Sequence, residues 1–385
     1  MSPVRTARWM ALASLILSTG RTAAPAATFT VTTTADSGAG SLRQALADAN
    51  GNPGADTIVF AIPGSGVHTI DVLSNLPIAD DVVIDGYSQP GSSPNTDSLA
   101  SNAVILIDLQ GSDTDGFEVS AGRADIRGLA LHGFDGAIHL SSASGSLISG
   151  CFIGLLPNGS SAPGSAIGIF TQSGTADTIG DGSPANRNVI SGNDIGLQID
   201  GGGQTIVRGN LIGTNAAGSA RLSNGTGVVV SSSVSLGGST AGQGNVIFGN
   251  TGDGVKIDAA SGADVFGNIV GLDATGLQPL GNGGIGINVD ADLPHLAGNV
   301  ISANGAHGID LTNSSNATVE SNIIGLDVNE QGELGNAGAG VHVYTGFEVV
   351  VGSQNTIAHN GAGVWMETPT SPYDIRVFDN SIFEN

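Results

Sequence analysis

The chain has 385 residues, of which 61 are glycine, 12% are charged and 4% are aromatic. Acidic residues outnumber basic ones by 34 to 11, a formal net charge of −23. This balance argues against a nucleic-acid partner, because phosphate binding needs clustered lysine and arginine.

The first 27 residues have the features of a secretory signal peptide. Arg5 and Arg8 precede the apolar run 9–17, and Ala24-Pro25-Ala26 supplies a small-residue cleavage site. No later run of 18 apolar residues occurs, so no transmembrane segment is predicted. The mature chain is therefore expected to be secreted, periplasmic or at the cell surface. It keeps 8 of the 11 basic residues and all 34 acidic ones, so its net charge is more negative, at −26.

Residues 28–123 are predicted to form an N-terminal cap and the first irregular coils. Residues 41–50 are predicted to be helical, with Ser41 and Gln44 as a capping box. One face of this helix is apolar, with Leu42, Ala45, Leu46 and Ala49. An amphipathic helix ahead of a solenoid is suited to cover the apolar interior of the first coil.

Residues 124–385 carry two interleaved repeats. An apolar pair closed by glycine ends at Gly154, Gly213, Gly271 and Gly325, and the motif N-x-I-x-x-N falls between these glycines. Both recur every 54–59 residues, and the segments between them are short β-branched runs. The pattern predicts an all-β right-handed parallel β-helix of nine full coils and the start of a tenth. Asparagines stacked at one corner are expected to form a hydrogen-bonded ladder. Its predicted members are Asn193, Asn250, Asn304 and Asn360.

Two motifs carry a resemblance to a known group of proteins. The run from Thr34 to Asn50, T-x-D-S-G-x-G-S-L-R-Q-A-L-x-x-A-N, resembles the CSLREA-type N-terminal motif, with Gly40 and Gln44 in place of its Cys and Glu. The later Val270-Gly271-Leu272-Asp273 pattern is similar to the repeats of the same proteins. These are bacterial exported right-handed β-helix repeat proteins, so the resemblance implies a pectin-lyase-like fold. It implies no particular reaction.

The longer repeat units contain polar excursions after the glycine. They span residues 155–165, 214–225, 272–283 and 326–338. Since they occur in every second coil, they are expected on one side at intervals of about 10 Å. Loops repeated on one face of a solenoid serve as binding elements in many proteins, and they also occur as insertions without a role.

The strands of form G-h-x-h predict one outward polar face. Aligned strands place two carboxylates, Asp258 and Asp290, about 5 Å apart in neighbouring coils. Such a pair suits Ca²⁺, or the acid and nucleophile of a glycosidase. The alternative is a solvated strand surface without a specific role. The candidate ligand-binding residues of this face are Lys256, Asp258, Asn288, Asp290, Asp310, His342, Tyr344, Trp365 and Glu367.

The last six residues, Asn380 to Asn385, repeat N-x-I-x-x-N with no capping element after them. Exposed strand edges invite pairing with another chain. The sequence therefore predicts either end-to-end self-association or a missing C-terminal region.

Two function classes stay open at this point. The first is an exported non-catalytic scaffold that is surface-associated or binds polysaccharide or cell-surface components. The second is a polysaccharide lyase, glycoside hydrolase or epimerase. The motifs of known β-helix enzymes are missing, and Lys256 is the only lysine of the chain. The sequence thus favours the first class and assigns no catalytic residue and no certain cofactor.

Overall fold

The computed structural model describes residues 25–201, 203–258, 262–367 and 374–385. Residues 1–24 of the predicted signal peptide lie outside these ranges. The described chain winds through three long parallel sheets, named sheet A, sheet B and sheet C, in that order in every coil. The right-handed parallel β-helix predicted from the repeats is therefore confirmed.

Sheet A has 13 strands. They are Thr28–Val31, Asp56–Phe60, Val82–Asp85, Ala124–Arg127, Leu147–Ser149, Thr178–Ile179, Thr205–Val207, Val234–Gly237, Asp264–Phe266, His295–Ala297, Thr318–Glu320, Val349–Gly352 and Ile375–Phe378.

Sheet B has 12 strands. They are His68–Val72, Ile107–Gly111, Leu129–His132, Phe152–Ile153, Val189–Ile190, Leu211–Ile212, Val246–Ile247, Ile269–Val270, Val300–Ile301, Ile323–Ile324, Thr356–Ala358 and Ser381–Phe383.

Sheet C has 11 strands. They are Leu76–Ile78, Phe117–Val119, Gly136–Leu140, Ile167–Thr171, Ile195–Ile199, Thr226–Val230, Val255–Asp258, Ile287–Asp290, Ile309–Leu311, Ala339–Val343 and Ala362–Met366. From Ala124 onward the described strands make nine complete coils, and a tenth contributes strands to sheets A and B, as the repeat count predicts.

The interior of the coil is apolar because alternate side chains of each strand point inward. In the strand Val255–Asp258, Val255 and Ile257 are fully buried, while Lys256 and Asp258 face outward. The same alternation recurs through sheets A and C. One continuous apolar core therefore runs along the axis of the helix.

Helix α1, Leu42–Gly51, covers the first coil and buries the predicted apolar face of four side chains. The Gln44 backbone N–H donates to Ser41 Oγ at 3.2 Å. The prediction of a reciprocal capping box is wrong, because the Gln44 side chain donates to Asp48 instead, at 2.8 Å. Two short 3₁₀ turns, Gly86–Ser88 and Pro184–Asn186, complete the helical elements of the described residues.

The corners of the coil are held by two asparagine ladders. One ladder lies between sheets A and B, with Asn188, Asn210, Asn245, Asn268, Asn299, Asn322, Asn355 and Asn380. The other lies between sheets B and C, with Asn193, Asn224, Asn250, Asn282, Asn304, Asn336, Asn360 and Asn385. The predicted ladder of Asn193, Asn250, Asn304 and Asn360 is present. In the coils between them, which lack the N-x-I-x-x-N motif, the ladder is continued by asparagines near the ends of the excursions, Asn224, Asn282 and Asn336.

Tolerance of positive φ would be one reason for asparagine at a tight corner, but none of the ladder asparagines has positive φ. Instead, the residue just before eleven of the sixteen ladder asparagines has positive φ, for example Gly249 at 73° and Ala303 at 60°. The asparagine is required for its amide, which bonds to the next coil. Cys151 precedes the first rung, and its backbone N–H donates to Asn188 Oδ1 at 3.0 Å.

The excursions stack directly on one another outside sheet B. The Ala216 N–H donates to the Gly159 carbonyl at 2.8 Å, and the Ala274 N–H donates to the Gly218 carbonyl at 3.0 Å. A second apolar cluster is buried beneath them and includes Phe152, Leu155 and Leu211. This packing gives the excursions a structural role as a cover for sheet B.

We expect Asn250→Ala to destabilise the helix more than a surface substitution does. Asn250 is buried, and its side chain accepts two hydrogen bonds from Asn224 and donates one to Asn282. Leaving these partners unsatisfied should cost on the order of 3 kcal/mol. Guanidinium unfolding measures the change, with Asn329→Ala on an exposed loop as the control. Equal unfolding midpoints for the two variants would contradict a stabilising role for the ladder.

Candidate functional site

The outer surface of sheet C brings the candidate residues into register. Lys256, Asn288, Asp310, His342 and Trp365 are consecutive partners in neighbouring strands. Asp258 and Asp290 are direct partners in a second column. Tyr344 and Glu367 follow the ends of two of these strands, where the Glu367 N–H donates to the Val343 carbonyl. All nine candidates thus lie on one surface, named here the sheet C face.

In the middle of the sheet C face, polar groups pair with one another. Lys256 Nζ lies 2.6 Å from Asp258 Oδ2, and this bond raises the pKa of Lys256. Asn288 Nδ2 donates to Asp253 Oδ2 at 2.9 Å, and Asn313 Nδ2 donates to Asp290 Oδ1 at 3.3 Å. The two aspartates predicted to share Ca²⁺ therefore each have another partner.

The C-terminal end of the sheet C face is an aromatic and acidic cluster. The rings of His342 and Trp365 lie 4.7 Å apart, and the ring of Tyr344 lies 6.3 Å from that of His342. His342 Nδ1 lies 2.8 Å from Asp310 Oδ1. Trp365 and Tyr344 are each 46% exposed, while His342 is buried between its neighbours. The cluster therefore presents aromatic surface to solvent.

His307 belongs to this cluster and was missed as a site residue. Its ring stacks on that of His342 with 4.5 Å between centroids. The Ala339 backbone N–H donates to His307 Nδ1 at 2.9 Å, so that nitrogen carries no proton. Burial, and then the neighbouring His342, lower the pKa of His307. His307 sits in the turn before the strand Ile309–Leu311, whereas the G-h-x-h pattern selects only residues within strands.

The arrangement does not favour His342 as a general base. A general base must reach the proton that it abstracts directly or through one water. His342 Nε2 is buried without a hydrogen-bond partner, and it lies 3.9 Å from Glu367 Oε1. The accessible part of the cluster is aromatic surface with a carboxylate at its edge.

A second aromatic pair lies on the same outer surface of sheet C, toward its N-terminal end, and extends the sheet C face in that direction. The rings of His139 and Phe170 stack at 4.6 Å beside a cavity of about 290 Å³, which Asp115 and Asp135 also line. Phe170 is the register partner of Gln198, and the same column continues through Val229 to Lys256. Seven strand steps separate Phe170 from Trp365, a distance of about 34 Å at the spacing of parallel strands.

Comparison with known proteins supports the fold. A family model described as "Periplasmic copper-binding protein (NosD)" matches residues 280–385. The A-module of the mannuronan C-5 epimerase AlgE6 from Azotobacter vinelandii is similar in structure, with 14% identity and a TM-score of 0.52 over 92% of this chain and 99% of that one. A single-substitution variant of the periplasmic alginate epimerase AlgG has 14% identity and a TM-score of 0.51, over 85% of this chain and 77% of that one. A search of curated proteins found no match.

These likenesses establish a class and no more. The protein is a right-handed parallel β-helix of the kind seen in these epimerase structures, and at such identities the similarity extends to the fold alone. Within the described residues, no helix has the length and apolar character needed to cross a membrane.

The surroundings of His307 determine both its pKa and the tautomer of its neutral ring. We expect its imidazole to titrate below the ordinary value of about 6.5 and to carry its proton on Nε2 when neutral. Histidine NMR on the folded protein measures both, with the urea-unfolded chain as the reference. Since the folded-state pKa is lowered, His307 should reduce stability as the pH falls below about 6.5. A folded-state midpoint above the unfolded one would contradict the assigned burial.

Calcium at Asp258 and Asp290 stays a prediction. Within the described ranges, no three His, Cys, Asp or Glu side chains are grouped to hold a metal ion. A calcium ion would have to displace Lys256 from Asp258. Millimolar Ca²⁺ should therefore raise the melting temperature of Lys256→Met more than that of the wild type. The double variant Asp258→Asn, Asp290→Asn should lose the response, and sodium chloride at equal ionic strength should not reproduce it. Identical responses of all three proteins would show that the pair binds no calcium.

Proposed function

We propose that this protein is an exported, non-catalytic β-helix that binds an extended polysaccharide along the sheet C face. The observation that carries the proposal is the pair of aromatic groups at the two ends of that face. His139 and Phe170 mark one end, and His342, Tyr344 and Trp365 mark the other. Apolar faces of sugar rings pack on aromatic side chains, and a polymer is long enough to contact both ends.

The middle of the sheet C face suits the polar edges of such a polymer. Its side chains stand on consecutive strands with the regular spacing of about 4.8 Å. Lys256, Asn288 and Asp290 offer hydrogen-bond donors and acceptors to hydroxyl groups there. Rigid strands hold these groups in place before binding, which reduces the entropic cost of association.

The charge of the face selects the class of polysaccharide. Asp258, Asp290, Asp310 and Glu367 are acidic, and Lys256 is the one lysine or arginine among the nine candidates. A polyanion such as a polyuronate is repelled by this surface, because like charges at short range are unfavourable. We therefore infer that the preferred ligand is a neutral or amino-sugar polysaccharide.

Export rests on two independent features. The N-terminal 27 residues have the composition of a signal peptide, and the family that matches residues 280–385 is described as periplasmic. The same family name includes copper. Residues 280–385 contain His307 and His342 in contact, but no group of three metal-binding side chains occurs among the described residues.

The second candidate function is a polysaccharide lyase, hydrolase or epimerase. The observation in its favour is the short contact between His342 and Asp310, a pairing that orients histidines in many active sites. The buried Nε2 of His342 stands against it. Release of unsaturated or reducing ends from a polysaccharide, lost in His342→Gln, would establish the enzyme in place of the non-catalytic binder.

Intrinsic fluorescence provides a direct test of binding. Trp365 is the only tryptophan after the predicted signal peptide, so its emission reports on the proposed site. We expect neutral glucan, mannan or chitosan oligosaccharides to change this emission, and oligogalacturonate to have little effect. Tyr344→Ala should weaken binding about tenfold, as expected for loss of one aromatic contact of about 1–1.5 kcal/mol.

The matched control is Phe378→Ala. Phe378 is as exposed as Trp365 but lies on sheet A, so its loss should leave affinity unchanged. Equal loss in both variants would place binding elsewhere. Preference for oligogalacturonate over every neutral or amino-sugar ligand would overturn the charge argument.

A further inference from the structure

A long turn between sheets A and B creates a recess on sheet A. After the strand Val234–Gly237, residues 238–244 form an extended turn, whereas the next coil passes to sheet B through Gly267 and Asn268 alone. The turn rests on that next coil, because the Gly238 N–H donates to the Phe266 carbonyl at 2.8 Å. The two following coils also have short turns between sheets A and B. The turn 238–244 therefore projects beyond its neighbours and forms one wall of the recess.

The recess has a volume of about 620 Å³. Its floor is Ala297 and Gly298, and Glu320 and Ser321 form the side opposite the turn. Phe266, Ala297 and Glu320 are consecutive partners in sheet A. The small Ala297 therefore separates Phe266 from Glu320 by two strand steps, about 10 Å. This gap is open because the middle residue lacks a large side chain.

Two polar side chains converge on the recess. His295 Nε2 lies 3.0 Å from Glu320 Oε1, and the rings of His295 and Phe266 meet edge to face at 4.8 Å. His295 and Glu320 side chains are both more than a third exposed. Within the described residues, no protein hydrogen bond is found for His295 Nδ1 or Glu320 Oε2. Both atoms are therefore available to a ligand.

We propose that this recess binds a single neutral sugar residue, at a site separate from the sheet C face. The lining combines an aromatic ring, small apolar and glycine surface, and a few polar groups, as is usual for small-ligand sites. No lysine or arginine lines it, and Glu320 repels an anion. A carboxylate and an imidazole can together bond adjacent hydroxyl groups, while Phe266 covers the apolar side of the ring.

Saturation-transfer NMR with the full chain tests the site. The probes are methyl glucoside, methyl mannoside and methyl N-acetylglucosaminide, with inorganic phosphate and choline as contrasting ligands. We expect at least one sugar to receive saturation and choline to receive none, and we expect the ³¹P line of phosphate, which has no carbon-bound protons to observe, to keep its width. Glu320→Gln should weaken sugar binding about tenfold, since a bond to a charged group is replaced by one to a neutral amide.

Ala297→Trp fills the recess without removing a polar group and, in a Trp365→Ala background that weakens sugar binding on the sheet C face, should abolish binding. Val350→Trp makes a similar enlargement on sheet A outside the recess, at the register partner of Thr318, and should bind as the wild type does. Trp365→Ala alone should keep a sugar signal that the added Ala297→Trp substitution removes, which separates this site from the sheet C face. Absence of saturation for all three sugars overturns the proposal. So does sugar binding that survives Ala297→Trp in the Trp365→Ala background. Transferred saturation on choline, or ³¹P line broadening of phosphate, in place of a sugar signal also overturns it.

Discussion

The asparagine ladders are the interaction on which the rest of the structure depends. At each corner the chain leaves one sheet and enters the next, and the peptide groups there lack strand partners. A buried backbone group without a partner is costly, so every corner needs an internal donor or acceptor. The ladder amides supply it: Asn250, for example, bonds to the coil before it and the coil after it. Coils that share these bonds must stack at the strand spacing.

That fixed spacing turns sequence repeats into surfaces. The three outer faces of the helix differ in what covers them. Stacked excursions bury the outside of sheet B over the apolar cluster that includes Phe152. Sheet C keeps its polar and aromatic side chains open in regular columns, and sheet A has a recess beside Ala297. A ligand that is itself a repeating polymer matches the open columns of sheet C, whereas a single sugar matches the recess.

Much of the fold could be predicted because it is periodic. The coil count, the cap helix and the register of Lys256 with Asn288 follow from spacing and from alternating apolar residues. The partner of the Gln44 side chain could not be predicted. Its bond to Asp48, in place of the return bond to Ser41 that completes a capping box, depends on side-chain geometry. The alternate ladder members, such as Asn224, escaped notice because they end variable excursions and lack the flanking motif.

The candidate site was predicted as a column but not as a cluster. His307 lies in a turn and reaches His342 only through the packing of two coils. The lysine partner of Asp258 also depends on a rotamer that no pattern specifies. Sequence therefore identified which side chains share the sheet C face, while their pairing and the burial of His342 required coordinates.

The central claim is that ligand lies along the sheet C face. Hydroxyl-radical footprinting with a bound neutral or amino-sugar oligosaccharide tests it most directly, because oxidation reports on individual side chains. The account predicts protection of Phe170 at one end and of Tyr344 and Trp365 at the other, with Phe378 on sheet A still oxidised. Protection confined to sheet A, or to the excursions over sheet B, would contradict it.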